Sequence, residues 1–194
     1  MNLSPRWCVT ALAALGALSC SDPVPPPAQG AFLVSLTSVS PSNGKTCPSG
    51  AAFTYDVPSV LASKPTEKLT ENTYLHWTVD GESDAKVSCS VKGSSSFSFS
   101  GRISSGVEVL EISNGVLANN MSGTAQVSLF NGTKLSSALT SPGADCMVSV
   151  VSNSQGVQVK PGSLWATFIC PSVEHQPGEA CQAKGTFVLE NCTQ

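Results

Sequence analysis

Short runs of alternating hydrophobic and polar residues recur along most of the chain. Residues 86–92 (KVSCSVK) set Val87, Cys89 and Val91 against Lys86, Ser88, Ser90 and Lys92. Residues 96–101 (SFSFSG) alternate Phe97 and Phe99 with serines. A period of two marks a strand with one face on a core and one in water. The same reading predicts strands at 32–38, 52–57, 74–79, 107–112, 125–130, 146–151, 157–160, 164–170 and 186–190. Asp80-Gly81, Asn114-Gly115 and Asn131-Gly132 are the dipeptides that tight hairpin turns favour, because both residues tolerate positive φ. The serine-rich stretches 93–96 and 104–106 read as loops. Only residues 60–72, where Pro65 opens a polar stretch, suggest a helical turn, and a loop fits them equally well. About ten short strands at this spacing, with no βαβ rhythm, predict an all-β fold: an antiparallel β-sandwich or a barrel-like variant.

The first thirty residues carry a different pattern. Arg6 precedes twelve uncharged residues, 7–18 (WCVTALAALGAL). A membrane-crossing helix needs about 20 apolar residues, so this run reads as a secretory signal. It is followed by Ala17-Leu18-Ser19-Cys20. This tetrapeptide resembles the lipobox of bacterial lipoproteins, in which the leader is cut before a cysteine that carries a diacylglyceryl thioether and then usually an N-acyl chain. The resemblance covers only the leader. It has Ala17 where the family usually has Leu, and Leu18 where Ala or Ser is commoner. It implies a signal peptide over 1–19, lipid attachment at Cys20 and the membrane as a partner. Ser21 after the cysteine resembles the pattern sorted to the outer membrane. Cleavage at the same bond by ordinary signal peptidase would instead give a secreted protein.

Residues 20–30 contain SDPVPPPAQG, with four prolines in those ten positions. As an extended Pro-rich spacer, such a segment holds a domain roughly 30 Å from a surface. Residues 31–194 then form a single β-domain, within the usual size range.

Cysteine parity supports this plan. Of eight cysteines, Cys8 lies in the leader. If Cys20 bears lipid, Cys47, Cys89, Cys146, Cys170, Cys181 and Cys192 remain, an even set able to form up to three disulfides. They include no closely spaced pair of the kind zinc sites use, so no metal is expected. Fifteen connectivities are possible. The favoured pair is Cys170–Cys181, which would lie at the base of a hairpin formed around the Pro/Gly-containing stretch 171–180.

Composition narrows the function. Charged residues make up 12% of the chain, the formal net charge is −3, and 31 Ser and 14 Thr supply much of the polarity. So few cations exclude a nucleic-acid binder that works through phosphate contacts. The hydrophobic fraction of 41% excludes a wholly disordered chain.

Candidate chemistry is sparse. There is no G-x-S-x-G nucleophile elbow, and a hydrolase would have to use His76 or His175 as its base. Glu108 and Glu111 are three apart on a strand and so face opposite ways, which does not suit a glycosidase carboxylate pair. The acidic stretch 80–84 (DGESD) lacks the order of an EF-hand and reads as a solvated turn. Trp165 alternates against Leu164, Ala166 and Phe168, so with Tyr74 it is a candidate for an exposed ligand platform. The expectation is a lipid-anchored envelope protein of structural or surface-recognition type, with no catalysis and no cofactor. Its possible ligands are an envelope protein or a glycan.

Overall fold

The computed structural model describes residues 24–38, 45–47, 54–56, 67–70, 73–75, 78–81, 84–119, 121–133, 135–153, 156–157, 159–175 and 178–194. Its strands begin with β1 (Gln29–Ser38), β2 (Thr54–Asp56), β3 (Glu67–Thr70), β4 (Thr73–Leu75) and β5 (Thr78–Val79). Next come β6 (Lys86–Gly93), β7 (Phe97–Ser105), β8 (Glu108–Leu117), β9 (Ser122–Asn131) and β10 (Leu139–Thr140). The series ends with β11 (Cys146–Val150), β12 (Ser152–Asn153), β13 (Gly156–Val157), β14 (Val159–Lys160), β15 (Ser163–Glu174) and β16 (Ala180–Glu190). The fold is all-β. Where a helical turn competed with a loop, β3 instead pairs with β4.

Twelve strands share one sheet, running β2-β1-β16-β15-β10-β9-β8-β7-β6 with β5, β11 and β14 attached. The sheet folds over on itself into two layers. Strands β1, β16 and β15 form one layer, and β6 to β9 form the other. Along one side β10 and β11 each pair with both β15 and β9, so they join the layers. Along the other, residues just past β16 reach β6: Thr193 forms a parallel bridge with Ser90, and the Val91 N–H donates to the Thr193 carbonyl at 3.0 Å. The result is a flattened barrel whose layers are joined along both sides.

The core lies between the layers. Phe32, Phe168, Phe187, Ile103, Leu110, Ile112 and Leu129 are among its fully buried side chains. Phe187 of β16 meets Phe99 of β7 at a ring-centroid distance of 6.2 Å and Phe168 of β15 at 6.3 Å. Each side chain of this size contributes about 1.5–3 kcal/mol when removed from water. Two glycines let the layers approach closely. A Cβ on Gly101 would lie 2.8 Å from the Leu189 side chain, and one on Gly30 would lie 2.7 Å from Ile103 Cδ1. Larger residues there would force the layers apart.

Asn114-Gly115 does not make a hairpin turn. It lies inside β8 as a bulge, with Asn114 at φ 51° and the register shifting between Ser113 and Val116. Before the bulge Leu110 and Ile112 point inward; after it Gly115 and Leu117 do. The extra residue resets the alternation, so Leu117 stays on the core side. Asp80-Gly81 does turn: Gly81 has φ 81°, and Asp80 Oδ1 accepts the Val87 N–H at 2.9 Å.

The six domain cysteines form three disulfides, Cys47–Cys181, Cys89–Cys192 and Cys146–Cys170. The expected Cys170–Cys181 pair is therefore wrong. Strands β15 and β16 run past the expected hairpin base, and a register shift after Cys170 places Val173 opposite Cys181. Cys170 instead extends the β11–β15 ladder and faces Cys146 at a Cα–Cα distance of 4.1 Å.

The start of the domain also differs from the expected boundary at residue 31. Strand β1 begins at Gln29, and the preceding residues are already bound. Asn191 Nδ2 donates to the Pro27 carbonyl at 3.1 Å, and the Asp80 N–H donates to the Ala28 carbonyl at 2.9 Å. Part of the Pro-rich segment thus belongs to the folded body.

Candidate functional site at the strand ends

Strands β1, β15 and β16 run side by side, so they share two ends. Gln29 pairs with Glu190 and Leu164 with Leu189 at one end; Ser38 pairs with Cys181 and Glu174 with Ala180 at the other. The second end gathers most of the clustered polar chemistry among the described residues.

There β15 ends at Glu174 and β16 begins at Ala180, with His175, Gly178 and Glu179 beside them. Thr46 docks on these residues, its N–H donating to the Gly178 carbonyl at 3.1 Å and its carbonyl accepting the Ala180 N–H at 3.0 Å. The Cys47–Cys181 bond closes a separation of 134 residues beside them. The loop from β9 to β10 folds over the same strand ends, fixed by buried Leu135, whose N–H donates to the Asn131 carbonyl at 2.9 Å. That loop brings two exposed serines to His175. Ser137 Oγ lies 2.8 Å from Nδ1 and Ser136 Oγ lies 3.0 Å from Nε2. Glu179 Oε2 stands 3.9 Å from Nε2, and the His175 side chain is only 5% exposed. Beside it Lys45 forms an ion pair with Glu174.

A neutral imidazole carries one donor and one acceptor nitrogen, so two hydroxyls satisfy the ring. The arrangement latches the 132–138 loop onto the strand ends. It also places a hydroxyl and a carboxylate on opposite ring nitrogens, in the order Ser137, His175, Glu179. The hydroxyl of Ser136, however, is nearer Nε2 than the carboxylate is.

Among the described residues, Trp165, Glu108 and Glu111 do not join this cluster. Trp165 is 8% exposed and packs with Ala31 and Val188 in a small core on the outer face of β1, β16 and β15, against Leu33 and Val151. Its Nε1 donates to Glu190 Oε1 at 2.8 Å. Trp165 therefore offers no exposed stacking face, and the expectation of a platform there is corrected: it lies outside the main core cluster but is itself buried. Tyr74 falls in β4, and its side chain lies outside the described residues, as do His76 and Cys20. Glu111 points outward and accepts from Arg102 Nη1 at 2.7 Å, whereas Glu108 Oε1 accepts from Asn131 Nδ2 at 3.1 Å.

Ser136, Ser137, Glu179 and Lys45 were not singled out by sequence. No spacing links them, since the loop, the strand ends and the 45–47 segment meet only through the fold.

The opposite end holds a cleft of about 480 Å³ between Pro25 and Pro26 on one side and Lys160, Gly162, Asn191 and Gln194 on the other. Together these features define a class: an all-β, three-disulfide module with a polar latch at one end and its N-terminal segment bound at the other. Neither a protein-family model, nor a curated protein, nor a solved structure matches the chain.

Proposed function

We propose that the protein is a lipid-anchored lipoprotein of a bacterial cell envelope, with a structural or surface-recognition role. Cysteine pairing carries this reading. All six cysteines of the domain are bonded to one another, so none is left to pair with Cys20. An unpaired cysteine directly after a leader, ahead of a fully paired domain, fits a lipid attachment site. Three disulfides also suit an oxidising compartment outside the cytoplasm. Membrane anchoring at Cys20, sorting to the outer membrane and acylation with palmitate-type chains follow from the lipobox resemblance. On this reading the recognition surface is the end bearing His175, and its ligand is an envelope protein or a glycan.

The test is Cys20→Ala followed by fatty-acid labelling and electrophoresis. The expected result is loss of incorporated fatty acid together with a changed migration in electrophoresis, because both the acyl chains and the cut before the lipidated cysteine are lost. Unchanged labelling and mobility would overturn the reading.

A second reading, a hydrolase using His175, is favoured by the two serine hydroxyls on its ring nitrogens. Under it, a fluorophosphonate probe labels the wild type at Ser137 and not the His175→Ala variant. Absence of labelling in the folded wild type removes that reading and leaves the latch.

A further inference from the structure

From the path of the N-terminal segment we infer that the domain meets the bilayer with the end built by residues 25–28, 160–163 and 191–194, and presents the His175 end outward. This inference rests on the lipid reading of Cys20.

The free spacer is much shorter than the Pro-rich composition suggests. Val24 is 89% exposed, but Pro25 and Pro26 already line the cleft formed with Lys160, Pro161, Gly162, Asn191 and Gln194. Pro27 is held by Asn191 Nδ2 and Ala28 by the Asp80 N–H. Gln29 is in β1. Only residues 21–24 separate Cys20 from this bound stretch. Five fully extended steps, from Cys20 to Pro25, span at most about 18 Å whatever their conformation. Roughly 30 Å of stand-off is therefore out of reach, and the cleft end lies within a short distance of the lipid headgroups.

The opposite end is carried away from them. Strand β15 runs twelve residues from Ser163, at the cleft, to Glu174, beside the latch. At about 3.3 Å per residue that is roughly 35–40 Å. The hydrogen bonds and the 25–28 docking make the end selection rigid, since the tether cannot swing to another face without breaking them. The membrane-facing end carries Lys160 beside Pro25 and Pro161; the outward end carries Lys45, Glu174, His175 and Glu179 with the exposed Ser136 and Ser137.

The experiment uses the full chain, expressed with its leader and reconstituted in vesicles of phosphatidylethanolamine and phosphatidylglycerol containing a nickel-chelating lipid. Because the native domain cysteines are paired, an added thiol can be spin-labelled selectively. Lys160→Cys reports on the cleft end. Val107→Cys reports on the outward end, where Val107 is exposed and its carbonyl accepts the Gly132 N–H at the base of the latch loop. Relaxation by headgroup nickel should be several-fold stronger at position 160 than at 107. A flexible Gly/Ser insert of about ten residues between Val24 and Pro25 should leave that contrast largely in place if docking persists, but only with the spacer ahead of it lengthened by about 16–19 Å and the signal at 160 reduced. Equal relaxation at both positions, or a stronger effect at 107, on vesicle-bound protein overturns the orientation alone. A chain that does not sediment with the vesicles overturns the lipid reading, and this inference with it.

Discussion

The two ends of the long strands are secured by different means. At the cleft end, segments that are also far apart in sequence are joined along a sheet edge: Asn191 Nδ2 donates to the Pro27 carbonyl, Thr193 bridges to Ser90, and Cys192 bonds to Cys89 across 103 residues. At the latch end, three segments far apart in sequence converge. The 45–47 segment, the 132–138 loop and the strand ends around His175 are joined by Cys47–Cys181, the Lys45–Glu174 ion pair and the His175 hydroxyl contacts. The cleft end adds residues to an existing sheet edge. The latch end joins its segments through charged and hydroxyl side chains, which become available there for recognition.

The largest test of this contrast lies in the disulfides. In the loop-closure picture a crosslink stabilises more when it closes a longer loop, about 4.7 kcal/mol for a 100-residue loop. Cys47–Cys181 spans 134 residues and Cys89–Cys192 spans 103, so the paired Cys→Ser variants at either end should each lose about 4–5 kcal/mol. Cys146–Cys170 spans only 24 residues, and its removal should cost about 3.5 kcal/mol on loop closure alone. Urea unfolding of the three double variants checks the order. A cost below about 1 kcal/mol at one end would show that contacts alone hold it, and would break the symmetry drawn between the two welds.

Next in size is Trp165→Ala. A buried core residue should cost about 3–5 kcal/mol, while a ligand-facing Trp would cost little stability. A Tm close to that of the wild type would return Trp165 to the role of a platform.

His175→Ala acts at the latch only. The freed serine hydroxyls are exposed and regain water, so the loss should be about 1 kcal/mol. Its stronger readout is local: proteolytic nicking within 132–138 should speed up while the cleft end stays resistant. Uniform sensitivity would show that the latch is not a separable unit. The smallest effect belongs to Arg102→Ala. The pair with Glu111 sits on the outer face with side chains 52% and 48% exposed, so its removal should change stability by about 0–1 kcal/mol.

Strand identity was legible wherever one face is wet. The 86–92 and 96–101 alternations became β6 and β7 directly, with the connection between them at the serines 94–96; the stretch 104–106, read as a loop, instead largely continues β7, which runs to Ser105. Where both faces are covered, alternation fails. Phe187, Val188 and Leu189 are consecutive and all buried, because Phe187 and Leu189 enter the main core while Val188 joins Trp165 and Ala31 in a separate apolar cluster. The continuous apolar run in β16 was the available sign of burial on both faces. At Asn114-Gly115 the dipeptide signalled positive φ correctly, but a bulge uses that conformation as well as a turn does, and only the paired β7 and β9 registers distinguish the two.

The sequence alone determined the strand-rich character, because a two-residue period and turn dipeptides are local properties of the chain. It also determined that six cysteines would be available to pair once Cys8 and Cys20 are set aside, since parity needs only counting. Tertiary structure decided which cysteines meet, because register brings Cys146 opposite Cys170 and carries Cys181 to Cys47. It decided that Trp165 is covered and that the Pro-rich segment docks instead of spanning a gap. It also built the His175 cluster, from segments whose nearness follows only when β15, β16 and the loop before β10 are folded together.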